Sequence, residues 1–263
     1  MSRVISPDLK VIRSPDSNVT PLEGGAWRLE ASPGPVGTYR LAQLDDYSGM
    51  PRRLFTWYPP LIFSLRARAS AGDIPGTWGF GLWNDPFSLS LGFGGGTRRF
   101  PALPNTAWFF HASPPNYLSL RDDLPAQGFL AATFRSPILP VLLLALAAPG
   151  MTLLALPPAA RLMRRLARRI IRQDTAQINV NQTFAQVEWH TYGIEWISTS
   201  VTFSVDKGPV LVTSISPYGP LALVLWIDNQ YAAFTPNGRL SYGSLEASEQ
   251  AWIEVSDIRL TLL

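Results

Sequence analysis

The 263-residue chain has no cysteine and only two histidines, His111 and His190. Disulfide scaffolds and thiolate metal sites are excluded, and with no Asp-x-Asp calcium loop there is no ligand cluster of recognised spacing. No cofactor is expected, and a single structural calcium is the one metal left open. Charge is sparse as well: charged residues make up 16% of the chain, and no glutamate stands between Glu30 and Glu188. No Gly-x-Ser-x-Gly elbow marks a serine hydrolase. Phe93-Gly94-Gly95-Gly96-Thr97 lacks the Lys-Ser/Thr ending of a phosphate loop. The opening residues MSRVISPDLK lack the apolar core of a secretory signal, so the expected location is the cytoplasm.

What the chain does have is apolar residues (46%), 24 prolines, 20 glycines and 9 tryptophans. That balance suits many short strands joined by Pro/Gly turns. The formal charge of +3 conceals six arginines between Arg161 and Arg172, without which the remainder would be slightly acidic. A general nucleic-acid-binding surface is therefore not expected. One domain spanning residues 1–263 is expected, with one insertion at 136–176.

Strand periodicity is clearest from Val187 to Asp206. Glu188 to Trp196 is dense in aromatic and β-branched residues, and Val201, Phe203 and Val205 alternate with Thr202, Ser204 and Asp206. Leu61, Phe63, Leu65 and Ala67 face one way while Arg66 and Arg68 face the other, one side core and the other wet. Shorter strands are expected at Leu9–Arg13, Ala26–Ala31, Gly37–Leu44, Leu54–Tyr58, Ala107–His111, Asn116–Leu120, Phe129–Phe134, Val210–Ile215 and Pro220–Ile227. Trp252–Leu262, interrupted by Glu254, Ser256 and Arg259, reads as a half-exposed edge strand. In Thr77-Trp78-Gly79-Phe80-Gly81-Leu82-Trp83, glycine at alternate positions leaves one strand face bare, for tight packing or for a ligand.

From Ser136 to Ala160 the chain carries no charge. The run around Leu142, Leu143, Leu144 and Leu146 is nearly pure hydrocarbon, but Pro149-Gly150 splits it into two pieces rather than one span. Helical period follows over Ala159–Gln173. Leu162, Leu166 and Ile170 line one face, with Met163 and Ala167 beside them, and Arg161, Arg164, Arg165, Arg168, Arg169 and Arg172 cover the rest. A basic amphipathic helix beside an apolar hairpin is the pattern of a surface lying on anionic lipid, which would place the protein peripherally at the inner membrane face. The alternative is a helical lid whose apolar side covers the sheet and whose arginines are solvated.

His190-Thr191-Tyr192-Gly193-Ile194-Glu195-Trp196 with Val201–Asp206 resembles the strand pair that family 16 glycoside hydrolases carry after their catalytic strand. Pro75-Gly76-Thr77-Trp78 with Leu82-Trp83 resembles that family's Gly-Thr-Trp-Pro-Ala-Phe-Trp segment, and Leu61–Ala69, Leu223–Trp226 and Trp252–Leu260 fall in the family's order. The resemblance spans nearly the whole chain outside the insertion. It implies an all-β fold, a concanavalin A-like jelly-roll sandwich of two antiparallel sheets whose concave face binds saccharide. It also implies a strand bearing Glu-x-Asp-x-x-Glu, or one residue fewer, most plausibly at Thr106–His111. That strand reads Thr-Ala-Trp-Phe-Phe-His. Retaining hydrolysis needs two carboxyl groups about 5 Å apart, so the family's own reaction is not expected.

Two readings follow. In the first, the chain is a non-catalytic binding protein whose concave face presents Trp78, Trp83, Asn84, Trp108 and Phe110 to a saccharide or a hydrophobic small molecule. In the second it is a divergent hydrolase with relocated acids, for which Asp85, His111 and Asp122 are the candidates. A purely structural domain would instead direct its aromatics into the core and leave the concave face polar.

Overall fold

The structure, a computed structural model, describes residues 3–86, 102–139, 156–178 and 187–263. Alternating apolar residues build nine strands before the helix: β1 (Arg3–Ile5), β2 (Lys10–Arg13), β3 (Ser17–Pro21), β4 (Trp27–Ala31), β5 (Leu41–Asp45), β6 (Leu61–Ala69), β7 (Thr77–Trp83), β8 (Thr106–Ala112) and β9 (Gly128–Arg135). The helix α1 (Pro157–Ile170) precedes β10 (Arg172–Gln177), β11 (His190–Ile197), β12 (Ser200–Val205), β13 (Gly208–Thr213) and β14 (Ala222–Asp228). Strands β15 (Gln230–Phe234), β16 (Leu240–Ser244) and β17 (Ala251–Leu262) complete the chain.

Two large antiparallel sheets form, and β15 pairs with β16 in a separate two-stranded sheet. The first runs β13-β12-β11-β6-β17-β4-β3 with β1 also on β17, and the second runs β10-β9-β8-β7-β14-β5-β2. Between them lies one large core, to which β6 gives Leu61, Phe63, Leu65 and Ala67, β11 gives Tyr192, Ile194 and Trp196, and β14 gives Leu223, Leu225 and Ile227. This is the expected jelly-roll sandwich, and burial of these side chains supplies most of its stabilisation.

Several expectations are corrected. Strand β17 is not an edge: β6 flanks it on one side and β4 on the other, and Glu254 is polar because it points to the outer face, where Arg28 and Arg68 hold it. Leu54–Tyr58 contributes a single bridge, Trp57 to Leu221, and Asn116–Leu120 a single bridge, Tyr117 to Ala233. The helix starts at Pro157 rather than after the prolines, since its first-turn N–H groups need no partner. It ends at Ile170, so Arg172 begins β10, which pairs with β9 and belongs to the second sheet rather than to an insertion. Leu142, Leu143, Leu144, Leu146 and the Phe93–Thr97 run lie outside the described residues. Among the described residues no helix is long and apolar enough to cross a membrane.

Candidate functional site

On β7 and β8 the strand period sends alternate side chains to opposite faces of the second sheet. Trp78, Phe80, Leu82, Ala107 and Phe109 enter the inter-sheet core. Trp83, Trp108 and Phe110 emerge on the outer face, the one the resemblance makes concave, beside Leu130, Ala132, Phe134 and Trp226. Register places Thr106 opposite Trp83 and Trp108 opposite Gly81.

Three indoles converge there. Ring centroids of Trp108 and Trp226 are 5.4 Å apart and those of Trp83 and Trp108 5.9 Å, while Trp83 and Trp226 lie nearly parallel, 5° between planes, at 6.5 Å. The bare glycine face makes this possible. A Cβ on Gly79 would sit 2.3 Å from the Phe109 carbonyl oxygen, and one on Gly81 would sit 2.6 Å from Trp108 Cβ. Trp226 donates through Nε1 to Thr77 Oγ1 at 2.9 Å, and Thr77 in turn bonds the Asp228 carboxyl at 2.9 Å. Among the described residues Trp83 Nε1, Trp108 Nε1 and Thr106 Oγ1 are buried without a hydrogen-bond partner, as are Trp78 Nε1 and His111 Nδ1 on the core side. Buried indole N–H groups ordinarily find an acceptor, so three neighbouring orphans mark this patch.

The sequence candidates separate accordingly. Trp78 is not on the outer face with Trp83 and Trp108: it is 1% exposed between the sheets, stacked on Phe129 at 5.0 Å. Asn84 is committed to backbone, donating to the Leu103 carbonyl and accepting from Asn105 N–H, both at 2.9 Å. Trp83, Trp108 and Phe110 do share the outer face of the second sheet. Thr106 from β8 and Trp226 and Asp228 from β14 complete it; β14 is apolar on both faces, so its alternation does not single out the last two.

The acid–base candidates do not meet. His111 packs on the core side against Trp78 at 5.9 Å, and burial pushes its imidazole down to about 4. Asp85 lies past the other end of β7, seven residues from Trp78, the register partner of His111, which is roughly 23 Å along a strand. Its backbone is left-handed (φ 48°) and its carbonyl accepts from Arg52, the geometry of a turn. Asp122 is shared by Arg164 at 2.9 Å and Arg168 at 2.7 Å; the Arg164 hydrogen bond, foremost, holds its carboxyl below the usual range.

Two other strand carboxylates, Asp45 and Asp228, fall on the outer face of the second sheet among the described residues. Asp45 is spent on Gln43 Nε2 (2.7 Å), Ser48 Oγ (2.7 Å) and the Tyr47 and Ser48 amides (3.0 and 2.6 Å). Burial pushes Asp228 up to about 7. Their register partners on the adjacent strands, Val224 and Leu41, put them four residues apart along the strands, roughly 13 Å. That exceeds the separation of either glycosidase geometry. Among the described residues no group of three or more His, Asp or Glu side chains could hold a metal ion.

Two large antiparallel sheets packed face to face make the fold a concanavalin A-like jelly-roll sandwich. Comparison with solved structures agrees at the level of fold. A laminarinase LamA of Zobellia galactanivorans, solved with laminaritriose and laminaritetraose, superposes with TM-score 0.51 at 11% identity over 99% of this chain and 97% of that one. The LamA catalytic domain gives 0.49 at 12% over 95% and 81%, and the laminarinase catalytic domain of Thermotoga petrophila RKU-1 gives 0.45 at 12% over 94% and 80%. No protein-family model and no curated protein matches the chain.

Proposed function

We propose that the protein is a non-catalytic concanavalin-like binding protein whose concave face takes a saccharide. The observation that carries this reading is the patch of Trp83, Trp108 and Thr106: two indoles with unpartnered N–H groups and an unpartnered hydroxyl among the described residues, on and beside β8, the strand to which the family resemblance assigns the acids. A sugar ring offers what the patch lacks, apolar C–H faces for the indoles and oxygens for the N–H groups. A pure hydrocarbon would leave all three polar atoms unsatisfied, which costs roughly 1–3 kcal/mol each. Reaching them requires the half-buried Trp83 ring to swing, so tryptophan emission should report binding. Titration with a panel of β-glucan oligosaccharides, alongside a hydrolysis assay, tests the reading. The expected result is a fluorescence change without product, weakened by Trp108→Ala; oligosaccharide cleavage would sink it.

A second part of the reading concerns α1. The helix exposes Leu162, Met163, Leu166 and Ile170 beside a row of arginines, which supports peripheral attachment to an anionic membrane surface, at the inner face in a cytoplasmic protein. Sedimentation with anionic liposomes tests it: pelleting that weakens with salt supports attachment, and a wholly soluble protein contradicts it.

A further inference from the structure

Amphipathic helices of globular proteins usually dock by their apolar stripe. The helix α1 does not. It meets the sandwich through Ala160 and Arg164, 0% and 2% exposed, while Leu162 (53%), Met163 (40%), Leu166 (41%) and Ile170 (46%) stay in solvent. The Arg164 guanidinium crosses to the sheet ends, donating to the carbonyls of Ser119 (2.9 Å) and Phe234 and to Asp122. Anchored so, the helix presents two accessible flanks at once. One is the apolar stripe; the other carries Arg161, Arg165 and Arg168, spaced i, i+4 and i+7.

That basic flank borders a concavity. Arg161, Arg164, Arg165, Arg168, Asp122 and Pro236 enclose about 160 Å³, which adjoins about 510 Å³ between Arg121, Asp122, Asp123 and Arg168. In the smaller cleft four guanidiniums face one carboxylate, and that carboxylate is already divided between Arg164 and Arg168. Arg161 and Arg165 have no ion-pair partner among the described residues. Two uncompensated guanidinium forks one turn apart on the same wall of the cleft match a dianionic phosphate, which accepts paired N–H donors, better than a single carboxylate.

We infer that this cleft is a phosphomonoester headgroup site, which orients α1 at the bilayer with Leu162, Leu166 and Ile170 at the acyl boundary. The lipid source is favoured over a free phosphate compound because the cleft and the unpartnered apolar stripe are the two sides of one exposed helix arc, which meet at Leu162, Arg165 and Arg169, so a bilayer against that arc engages both. The inference rests on the membrane attachment proposed above and adds the lipid class. Arg164 is a positioning residue here, not a lipid contact.

The test is flotation of the full chain with vesicles of phosphatidylcholine alone, with added phosphatidylserine, and with added phosphatidate at matched surface charge. Binding to phosphatidate about fivefold tighter than to phosphatidylserine is expected, the worth of one further guanidinium contact near a surface. Arg161→Gln with Arg165→Gln should erase that preference while retaining phosphatidylserine binding. Leu162→Ser with Leu166→Ser should weaken binding to both anionic vesicles. Both pairs are solvent-exposed, and an unchanged circular dichroism spectrum verifies the fold. Equal affinity for the two anionic vesicles would overturn the headgroup site and leave attachment standing. Inorganic phosphate binding in solution as tightly as phosphatidate vesicles would overturn the lipid assignment, and failure to float with any vesicle would overturn attachment itself.

Discussion

Arg164 Nη2 meets Asp122 Oδ1 at 2.9 Å across the junction between α1 and the loop after Tyr117, with the guanidinium 3% and the carboxylate 47% exposed. The asymmetry says which partner carries the contact. Asp122 can return to water, whereas the Ser119 and Phe234 carbonyls that Arg164 also serves cannot. Arg164→Ala should therefore cost about 2–3 kcal/mol, and Asp122→Asn less than about 1 kcal/mol. Urea unfolding checks the totals. Hydrogen exchange across 157–170 checks the cause, since undocking of α1 would strip protection there before the sandwich opens.

Asp228 makes stability depend on pH in the unusual direction for a carboxylate. Burial raises it from 3.8 to about 7, so the folded chain holds the proton more tightly than the unfolded chain. Stability then falls as pH rises from about 4 to about 7 and is level above that. Asp228→Asn retains an acceptor for Thr77 and removes the buried charge. It should abolish this slope and raise stability at pH 8 by roughly 2–4 kcal/mol, read from thermal midpoints across pH.

Glu254 acts with the opposite sign. Burial alone would raise its carboxyl, but hydrogen bonds from Arg28 and from Arg68 at 2.7 Å outweigh that and hold it below 4.5. Its contribution is present above pH 4.5 and is lost as pH falls through the depressed folded value. Glu254→Gln should make the acid limb of the stability curve shallower while leaving the region above pH 7 parallel to the parent. A parallel acid limb would show that the Arg28–Glu254–Arg68 bridge contributes nothing.

The strands were legible where one face is polar. Leu61–Ala69 was bounded to the residue because Ser64, Arg66 and Arg68 mark the wet side. The aromatic outer face was harder to read, since β7, β8 and β14 are apolar on both sides and their alternation carries little contrast. Even so, Trp78 and Trp83 are five residues apart on one strand, an odd spacing, and cannot share a face. The role of Arg164 lay beyond any helical wheel: which arginine leaves solvent depends on where the Ser119 and Phe234 carbonyls fall, and those come from loops distant in sequence.

Gly79 tests whether the indole patch depends on a bare strand. Its backbone is ordinary, so alanine there is resisted only by neighbours: Phe109 O at 2.3 Å and Phe110 Cβ at 2.8 Å, fixed parts of the adjoining strand. Gly193, on the outer face of the other sheet, meets only the Ser204 hydroxyl at 2.6 Å, which can rotate away. Gly79→Ala should cost about 1–3 kcal/mol and push β8 from β7, separating Trp108 from Trp83. Gly193→Ala should cost less than about 1 kcal/mol and leave the aromatic face untouched. Urea midpoints give the first comparison and oligosaccharide affinity the second. If both alanines prove equally mild, the close approach of β7 to β8 is not what sets the indoles together, and the patch must be held from β14 through Trp226 and Thr77.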